Sequence, residues 1–220
     1  MTARPRTRTP PAGAEAVRQP GAVSIERFLD DLASASPAPG GGAAAALAGA
    51  LAAALVAMVC RVTMGREPGA AELNGVVETA DELRRRLTDL AAADARAYEA
   101  VIEARRLPAD RKAAALDVAL RRATEIPIDI AAAGSELLAV CDRLTQRARV
   151  STLGDLRVAA ALSRAALDGA AVIARINLRD AADATFRREA DRRLALALAD
   201  TEAECQRVAD GIAERVGRSD

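Results

Sequence analysis

The sequence of 220 residues contains no histidine, and this absence removes several kinds of active site at once. Without an imidazole there is no Ser-His-Asp triad, no histidine general base and no histidine metal ligand. Lysine is almost absent too: Lys112 stands alone among many arginines, and its charged surroundings argue against a buried Schiff-base lysine. Any acid–base chemistry must therefore use carboxylates, tyrosine or bound water.

Aromatic residues are equally scarce, at 1% of the chain, and consist of Phe28, Tyr98 and Phe186. Nucleic-acid bases therefore find no stacking platform. The formal net charge is zero, with 31 basic and 31 acidic residues, so the chain has no general attraction for a polyanion. We expect no nucleic-acid partner.

The three cysteines, Cys60, Cys141 and Cys205, lie far apart in apolar segments of helical pattern. Their spacing matches no zinc motif, and an odd number does not form a disulfide framework. We expect buried, reduced thiols, no metal and no redox cofactor, in a cytoplasmic protein.

Two segments bear on targeting and on the membrane. Residues 1–22 combine arginines with Pro, Thr and Gly and have no apolar run, which predicts a disordered tail before a single domain over residues 23–220. Ala43–Cys60 reaches the lower limit of membrane-spanning length. Alanine is only weakly apolar and no second span follows, so a buried central helix and no membrane partner are favoured.

Every sustained hydrophobic pattern has a helical period, and 51% of the residues are hydrophobic. The sequence therefore predicts an all-α fold, an antiparallel helical bundle around the alanine-rich helix. We expect Pro127 to kink or break its helix. The predicted helices are a short one capped by Ser24, then about Gly42–Met64, Ala71–Arg106, Asp110–Arg147, Asp155–Ile176 and Asp183–Val216.

A proline-glycine segment, Pro37–Gly42, leads directly into the alanine-rich helix. Glycine has no side chain to cap the first amides of that helix, so the loop allows close approach of a ligand, including an anion at the positive helix end. A tight corner that only serves helix packing is the alternative, and sequence physics alone leaves the two readings even.

An aspartate is out of place on the long third helix. Its apolar stripe runs through Leu83, Leu87 and Leu90, and the next position on that stripe is Asp94. A carboxylate on a core-facing seam is costly unless it is paired or hydrogen-bonded. An ion pair with Arg61 or Arg175 would explain it, as would a small roll of the helix that leaves Asp94 at the edge.

Taken in order, several segments resemble the cyclodeaminase/cyclohydrolase family, which includes the C-terminal domain of formimidoyltransferase-cyclodeaminase and stand-alone bacterial methenyltetrahydrofolate cyclohydrolases. The resemblance extends from about Ser24 almost to the C-terminus. The matching segments are Pro37–Gly42 with its alanine helix, Met58-Val59, Thr63–Arg66, Asp94–Tyr98, Leu107-Pro108, Ala123–Pro127, Gly154–Ala160 and Ile176–Asp180.

The resemblance implies an all-helical homodimer that acts on a tetrahydrofolate derivative. The sequence shows no sign of a further cofactor, and we predict none. One reaction would be cyclodeamination of 5-formimidoyltetrahydrofolate to 5,10-methenyltetrahydrofolate with release of ammonia. The other would be hydrolysis of that methenyl bridge to 10-formyltetrahydrofolate, and the residues do not separate the two.

The resemblance also implies a catalytic residue, Asp94, and a set of substrate-binding residues, namely Gly40, Gly41, Gly42, Arg66, Asp155 and Asn177. Helix-end roles are the alternative for Arg66, Asp155 and Asn177.

Ala43 and Gly154 stand where the family usually has serine, and Arg149 and Ile173 stand at or near positions that often hold asparagine. The basic-aromatic segment that is usual after Arg66 is also missing. These departures are the reason for an alternative function, a low-activity or non-catalytic helical dimer that binds a folate or a protein.

Overall fold

The computed structural model describes residues 24–66 and 70–218, so the predicted tail over residues 1–22 lies outside the described residues. Within these ranges the chain forms helices and no strand, which confirms the all-α prediction. The α-helices are α1 (Ile25–Ala33), α2 (Gly41–Met64), α3 (Asn74–Arg106), α4 (Ala109–Leu144), α5 (Leu153–Asp180), α6 (Ala184–Leu198) and α7 (Thr201–Gly217). Short 3₁₀ helices, Ala70–Leu73 and Val150–Thr152, precede α3 and α5.

Helix α2 packs against α3, α4 and α5, and most of its small side chains are buried. Small residues let the helix backbones approach closely. At Gly49 an added Cβ would lie 3.0 Å from Leu87 of α3 and 3.4 Å from Ala166 of α5. By length and composition α2 passes the test for a membrane span, and 61% of its most apolar window is buried inside the protein.

Helix α4 continues without interruption through Pro127, so of the kink or break expected at this residue, the break does not occur. Proline lacks the N–H that would bind the carbonyl four residues earlier, which belongs to Ala123. A side chain from α5 supplies a donor to that carbonyl instead, as described below. Pro127 itself is buried, and tertiary packing therefore holds the helix together where local propensity would end it.

The predicted single helix over Asp183–Val216 is wrong, because α6 ends at Leu198 and α7 begins at Thr201. The hydroxyl of Thr201 donates to the carbonyl of Leu198 at 2.9 Å and so satisfies one of the free groups at the end of α6. The apolar stripe runs on through both helices, with Leu194 and Val208 buried, so its period gives no sign of the break.

The start of α1 agrees with the prediction, and the starts of α3 and α5 differ from it. Ser24 caps α1, accepting from the backbone N–H of Arg27 at 3.2 Å, as predicted. Helix α3 begins at Asn74, later than expected. Helix α5 begins at Leu153, so Asp155 lies in its first turn and is not the N-cap.

The cysteines are free thiols, and two of the three are buried as expected. Burial raises the pKa of Cys60 to about 11 and that of Cys141 to about 12. Cys205, on α7, is only partly buried, and its thiol lies 3.8 Å from the guanidinium of Arg164.

Candidate functional site

An open cavity of about 340 Å³ lies where the start of α2 meets α3, α4 and α5. Backbone atoms of the glycine segment form one wall, and side chains from three helices form the others. The lining residues are Pro37, Ala38, Gly40, Gly41 and Gly42, then Asp94, Ala95 and Tyr98 of α3, Ala123 of α4, and Ile173, Ile176 and Asn177 of α5. The structure therefore gathers Asp94, the three glycines and Asn177 around one space.

The carboxylate of Asp94 lies directly over the backbone of Gly42. A Cβ built on Gly42 would be 2.5 Å from Asp94 Oδ2 and closer still to Oδ1 and Cγ. No side chain larger than hydrogen fits there unless the carboxylate moves. Gly42 is thus required for close approach, and the group that approaches is a carboxylate of the protein itself.

Two opposing influences act on the pKa of Asp94. Burial of the partly buried carboxylate raises its pKa, and a hydrogen bond from the backbone N–H of Ala43 lowers it, with burial the larger effect. That N–H is one of the uncapped amides at the start of α2, since Gly40 offers no side-chain cap. The positive end of α2 therefore faces this acid.

The ion pair that would have explained Asp94 is not formed. Within the described structure neither Arg61 nor Arg175 pairs with it, and Arg61 binds Asp81 instead, at 2.5 Å. The position of Asp94 at the edge of the buried face fits the second explanation, because Ala97 and Val101 continue that face. Asp94 is thus a carboxylate at a cavity wall that is partly desolvated and free of a counter-charge.

Asn177 is fixed by the main chain of α4. Its side-chain nitrogen Nδ2 donates to the carbonyl oxygen of Ala123 at 2.7 Å. This is the carbonyl that Pro127, four residues further along α4, leaves without a helical partner. The asparagine of α5 therefore donates to the carbonyl that the proline of α4 leaves free.

The remaining wall is apolar and partly open to solvent. Tyr98, one turn after Asp94, is 47% exposed, and Ile176 is 57% exposed. From the sequence, Ile173 was named as a departure from the family pattern, and Ile176 and Ala123 only within matching segments, and none of the three was assigned to the site. Helical spacing from Asn177 was the available signal for Ile173, which lies four residues earlier on α5. Ile176 directly precedes Asn177, and this spacing gives no signal for it.

Arg66 and Asp155 are not among the residues that line this cavity. Arg66 follows the C-terminal end of α2, and at 1.5 Å per residue that end is about 36 Å from the glycines. Asp155 lies in the first turn of α5, about 33 Å along the helix from Asn177. The hydrogen bond from the Arg149 N–H to Thr63 Oγ1, at 3.4 Å, places the end of α2 near the connection before α5. Arg66 and Asp155 therefore belong to the opposite end of the α2–α5 pair.

The described ranges contain no group of three or more Cys, Asp or Glu side chains arranged to hold a metal ion. The chemistry available at the cavity is that of a carboxylate, an amide, a phenol and the first amides of α2. This set can move a proton, stabilise a positive charge and hold a flat apolar ring against Ile173 and Ile176.

Comparison with known proteins gives consistent matches. The family model described as formiminotransferase-cyclodeaminase matches residues 24–196. The methenyltetrahydrofolate cyclohydrolase of Methylorubrum extorquens is 34% identical over 205 residues, which are 89% of this chain and 99% of that protein. The formimidoyltransferase-cyclodeaminase of Mus musculus is 34% identical over 181 residues, 78% of this chain. The chain spans about a third of that longer protein, 34% of its length.

A solved structure agrees with these matches. The crystal structure of a formiminotetrahydrofolate cyclodeaminase from Thermotoga maritima superimposes with a TM-score of 0.81 and 31% sequence identity. The match covers 88% of this chain and 98% of that one. The likeness thus extends over most of this chain and nearly all of the other.

Proposed function

The chain belongs to the formiminotransferase-cyclodeaminase family, and we propose that it is a folate one-carbon enzyme acting on a C–N bond of a tetrahydrofolate derivative. Relatives of both names, cyclohydrolase and cyclodeaminase, support this function. The observation that carries it is Asp94, an unpaired, partly buried carboxylate held against the start of α2 at the wall of an open cavity.

Two reactions are candidates because both pass through the methenyl species. Hydrolysis of 5,10-methenyltetrahydrofolate is the first, since this chain matches 99% of the length of a protein named methenyltetrahydrofolate cyclohydrolase. Cyclodeamination of 5-formimidoyltetrahydrofolate is the second, since a solved cyclodeaminase is matched over 98% of its chain. The experiment below has an arm for each.

In the hydrolysis, we propose that Asp94 is the general base. The oxygen of a water molecule bonds to the methenyl carbon and gives a proton to Asp94. The bond from that carbon to N5 then breaks as N5 takes the proton from Asp94, and the added hydroxyl loses its remaining proton to solvent and becomes the formyl carbonyl. The methenyl bridge is cationic, so the carboxylate also stabilises the charge of the bound substrate. A single group beside the reacting carbon supplies both effects.

In the cyclodeamination, the same carboxylate has two proton transfers to perform. N10 attacks the carbon of the protonated formimidoyl group, whose nitrogen becomes an NH2 group, and N10 loses its proton to Asp94. The protonated acid then donates to this NH2 group, whose bond to the carbon breaks, so that ammonia leaves and the methenyl cation remains. Burial raises the pKa of Asp94 from its ordinary value, which favours an acid that can both accept and return a proton.

The remaining residues of the cavity give the substrate its place. Ile173, Ile176 and the ring of Tyr98 offer an apolar wall to the flat pterin. Gly40 and Gly41 have open space above the backbone, since added Cβ atoms would meet nothing within 4 Å at Gly40 and only Ile173 at 3.5 Å at Gly41. A ligand can therefore contact the main chain there.

We also propose that the protein is a homodimer whose interface includes α2 and α5. Leu51 and Val62 form an exposed apolar stripe on α2, and Val172 and Ile176 form one on α5. Ile176 belongs both to its stripe and to the cavity wall, so a second copy seated there would also cover the edge of the site.

Such a dimer would give Arg66 and Asp155 a role. They lie at the other end of the α2–α5 pair, and a two-fold axis across these helices would bring one end of each copy to the opposite end of its partner. The substrate-binding role of both residues is then supplied to the cavity of the other protomer. Light scattering on purified protein measures the assembly state, and a monomer would contradict this arrangement.

We propose no cofactor besides the substrate, and no nucleic-acid or membrane partner, for a protein of the cytoplasm. The zero net charge supports the absence of a nucleic-acid partner. The burial of most of α2 supports the absence of a membrane partner.

The decisive experiment follows the near-ultraviolet absorbance of 5,10-methenyltetrahydrofolate with purified protein. We expect the absorbance to fall faster than in buffer, and Asp94→Asn to abolish the difference while the protein stays folded. A second arm offers 5-formimidoyltetrahydrofolate and measures released ammonia. If neither substrate turns over, the proposal of an enzyme is wrong and the non-catalytic alternative takes its place.

A further inference from the structure

Pro127 creates a free backbone acceptor in the middle of a helix. Residue 127 would ordinarily donate its N–H to the carbonyl of Ala123, and proline has none to give. The carbonyl accepts from Nδ2 of Asn177 instead, at 2.7 Å. Because a carbonyl oxygen only accepts, this bond fixes which end of the Asn177 amide points at α4.

The other end of that amide is left without a protein partner. Within the described residues, Asn177 has one side-chain hydrogen bond, and no buried side-chain oxygen lacks a partner. Oδ1 of Asn177 is therefore accessible, and both Asn177 and Ala123 line the cavity. An oriented acceptor thus stands at the cavity wall.

The acceptor has a chemical complement in the ligand of the proposed function. A tetrahydropterin carries an amino group and ring N–H groups, all donors, along one edge. We propose that Pro127 and Asn177 act as a pair, in which Pro127 positions the Asn177 amide so that Oδ1 accepts a hydrogen bond from a pterin N–H of the substrate. This inference rests on the proposed function, because it names the edge of the folate that enters this site.

The two residues have different roles in this proposal. Asn177 is the binding residue, and Pro127 is a positioning residue that acts through the carbonyl of Ala123. If helix continuity were the only role of Asn177, any donor to that carbonyl would replace it. If Oδ1 binds substrate, a replacement donor restores the fold and leaves binding impaired.

This difference defines the experiment. The variants are Asn177→Leu, Pro127→Ala and the double variant, and the probe is 5-formyltetrahydrofolate, whose Kd is measured by calorimetry beside the Tm of each protein. Asn177→Leu is expected to lower Tm, because it leaves the Ala123 carbonyl unsatisfied, and to raise Kd by about tenfold. Pro127→Ala supplies an N–H inside α4 that competes for this carbonyl, so Kd rises by a smaller factor without a loss of Tm.

The double variant decides between the two roles. We expect its Tm to recover towards that of the wild type, since the N–H at position 127 replaces the lost amide, and its Kd to stay as weak as that of Asn177→Leu. Recovery of both Tm and Kd would overturn the inference, because Asn177 would then be only structural. An unchanged Kd in Asn177→Leu would overturn it as well.

Failure of this inference is distinguishable from failure of the proposed function. Wild-type protein that binds 5-formyltetrahydrofolate but turns over neither substrate contradicts the proposed catalysis and still allows the comparison of variants. Wild-type protein that does not bind 5-formyltetrahydrofolate overturns the inference itself. In active protein, Asn177→Leu is expected to raise KM more than it lowers kcat, as loss of a substrate contact does.

Discussion

Replacement of Gly42 by alanine tests the contact between α2 and Asp94 most directly. The added Cβ would be 2.5 Å from Asp94 Oδ2 and closer to Oδ1 and Cγ, whereas ordinary van der Waals contact begins at about 3.4 Å. The carboxylate must therefore move by roughly 1 Å, which also disturbs its hydrogen bond with the Ala43 N–H.

The size of the effect follows from this displacement. A misplacement of about 1 Å in a reacting group lowers the rate by roughly 100-fold, which corresponds to about 2.7 kcal/mol of activation free energy. Stability should respond differently. Alanine favours a helix over glycine by up to about 1 kcal/mol, which offsets the cost of moving one partly exposed side chain. We expect Gly42→Ala to lose activity while its Tm changes by only a few degrees.

The assay is the loss of 5,10-methenyltetrahydrofolate absorbance, with kcat and KM determined for each variant. Gly75→Ala is the matched control, because Gly75 is likewise the second residue of a helix, α3, and its added Cβ meets nothing within 4 Å. The control should keep wild-type kcat. Wild-type kcat in Gly42→Ala would refute the reasoning, since Asp94 would then not need the position in which the structure holds it.

Three further predictions concern stability. Burial raises the pKa of Asp94, so folding favours its neutral form and wild type loses stability as pH rises through that pKa. Asparagine does not ionise. In denaturant titrations Asp94→Asn should therefore equal wild type in acid and become more stable than wild type at higher pH. Gly134→Ala should cost about 1–3 kcal/mol, since its Cβ would lie 2.9 Å from a backbone oxygen of α5, whereas Gly169→Ala, 3.8 Å from its nearest neighbour, should not destabilise. The Arg121 guanidinium and the backbone amides of α6 lower the pKa of Asp183 to about 2. The ionised carboxylate therefore stabilises the fold above about pH 4 and stops doing so towards pH 2. Asp183→Ala should accordingly be less stable than wild type above about pH 4, and the difference should vanish towards pH 2.

The helices could be predicted well wherever an apolar helical segment and a breaker agreed. The α2 helix shows this, because glycines stand at its start and Gly65 follows its end at Met64. Periodicity failed where the stripe ran on through a break, as between Leu198 and Thr201. It failed in the opposite sense at Pro127, where packing and a side chain from another helix preserve α4 against a local preference.

The site was predictable in part for a related reason. Asp94 stood out because a charge on an apolar seam conflicts with packing, and such local conflicts mark functional positions. The orientation of Asn177 was not predictable, because it depends on a carbonyl of α4 that is far away in sequence. The position of Arg66 away from the glycines does follow from the length of α2, once its residues are read as one unbroken helix.

The sequence allowed two interpretations of the glycine segment, an anion site or a tight corner for packing. The structure has features of both. The uncapped start of α2 does face an anion, but this anion is Asp94, seated in the space that Gly42 leaves open. Burial favours the protonated acid and the Ala43 amide favours the carboxylate, so the pKa of Asp94 depends on how closely it approaches α2. A cationic substrate that enters the cavity stabilises the carboxylate further, and a neutral product removes that stabilisation. The arrangement is therefore suited to an acid that takes up a proton during the reaction and returns it before the next substrate binds.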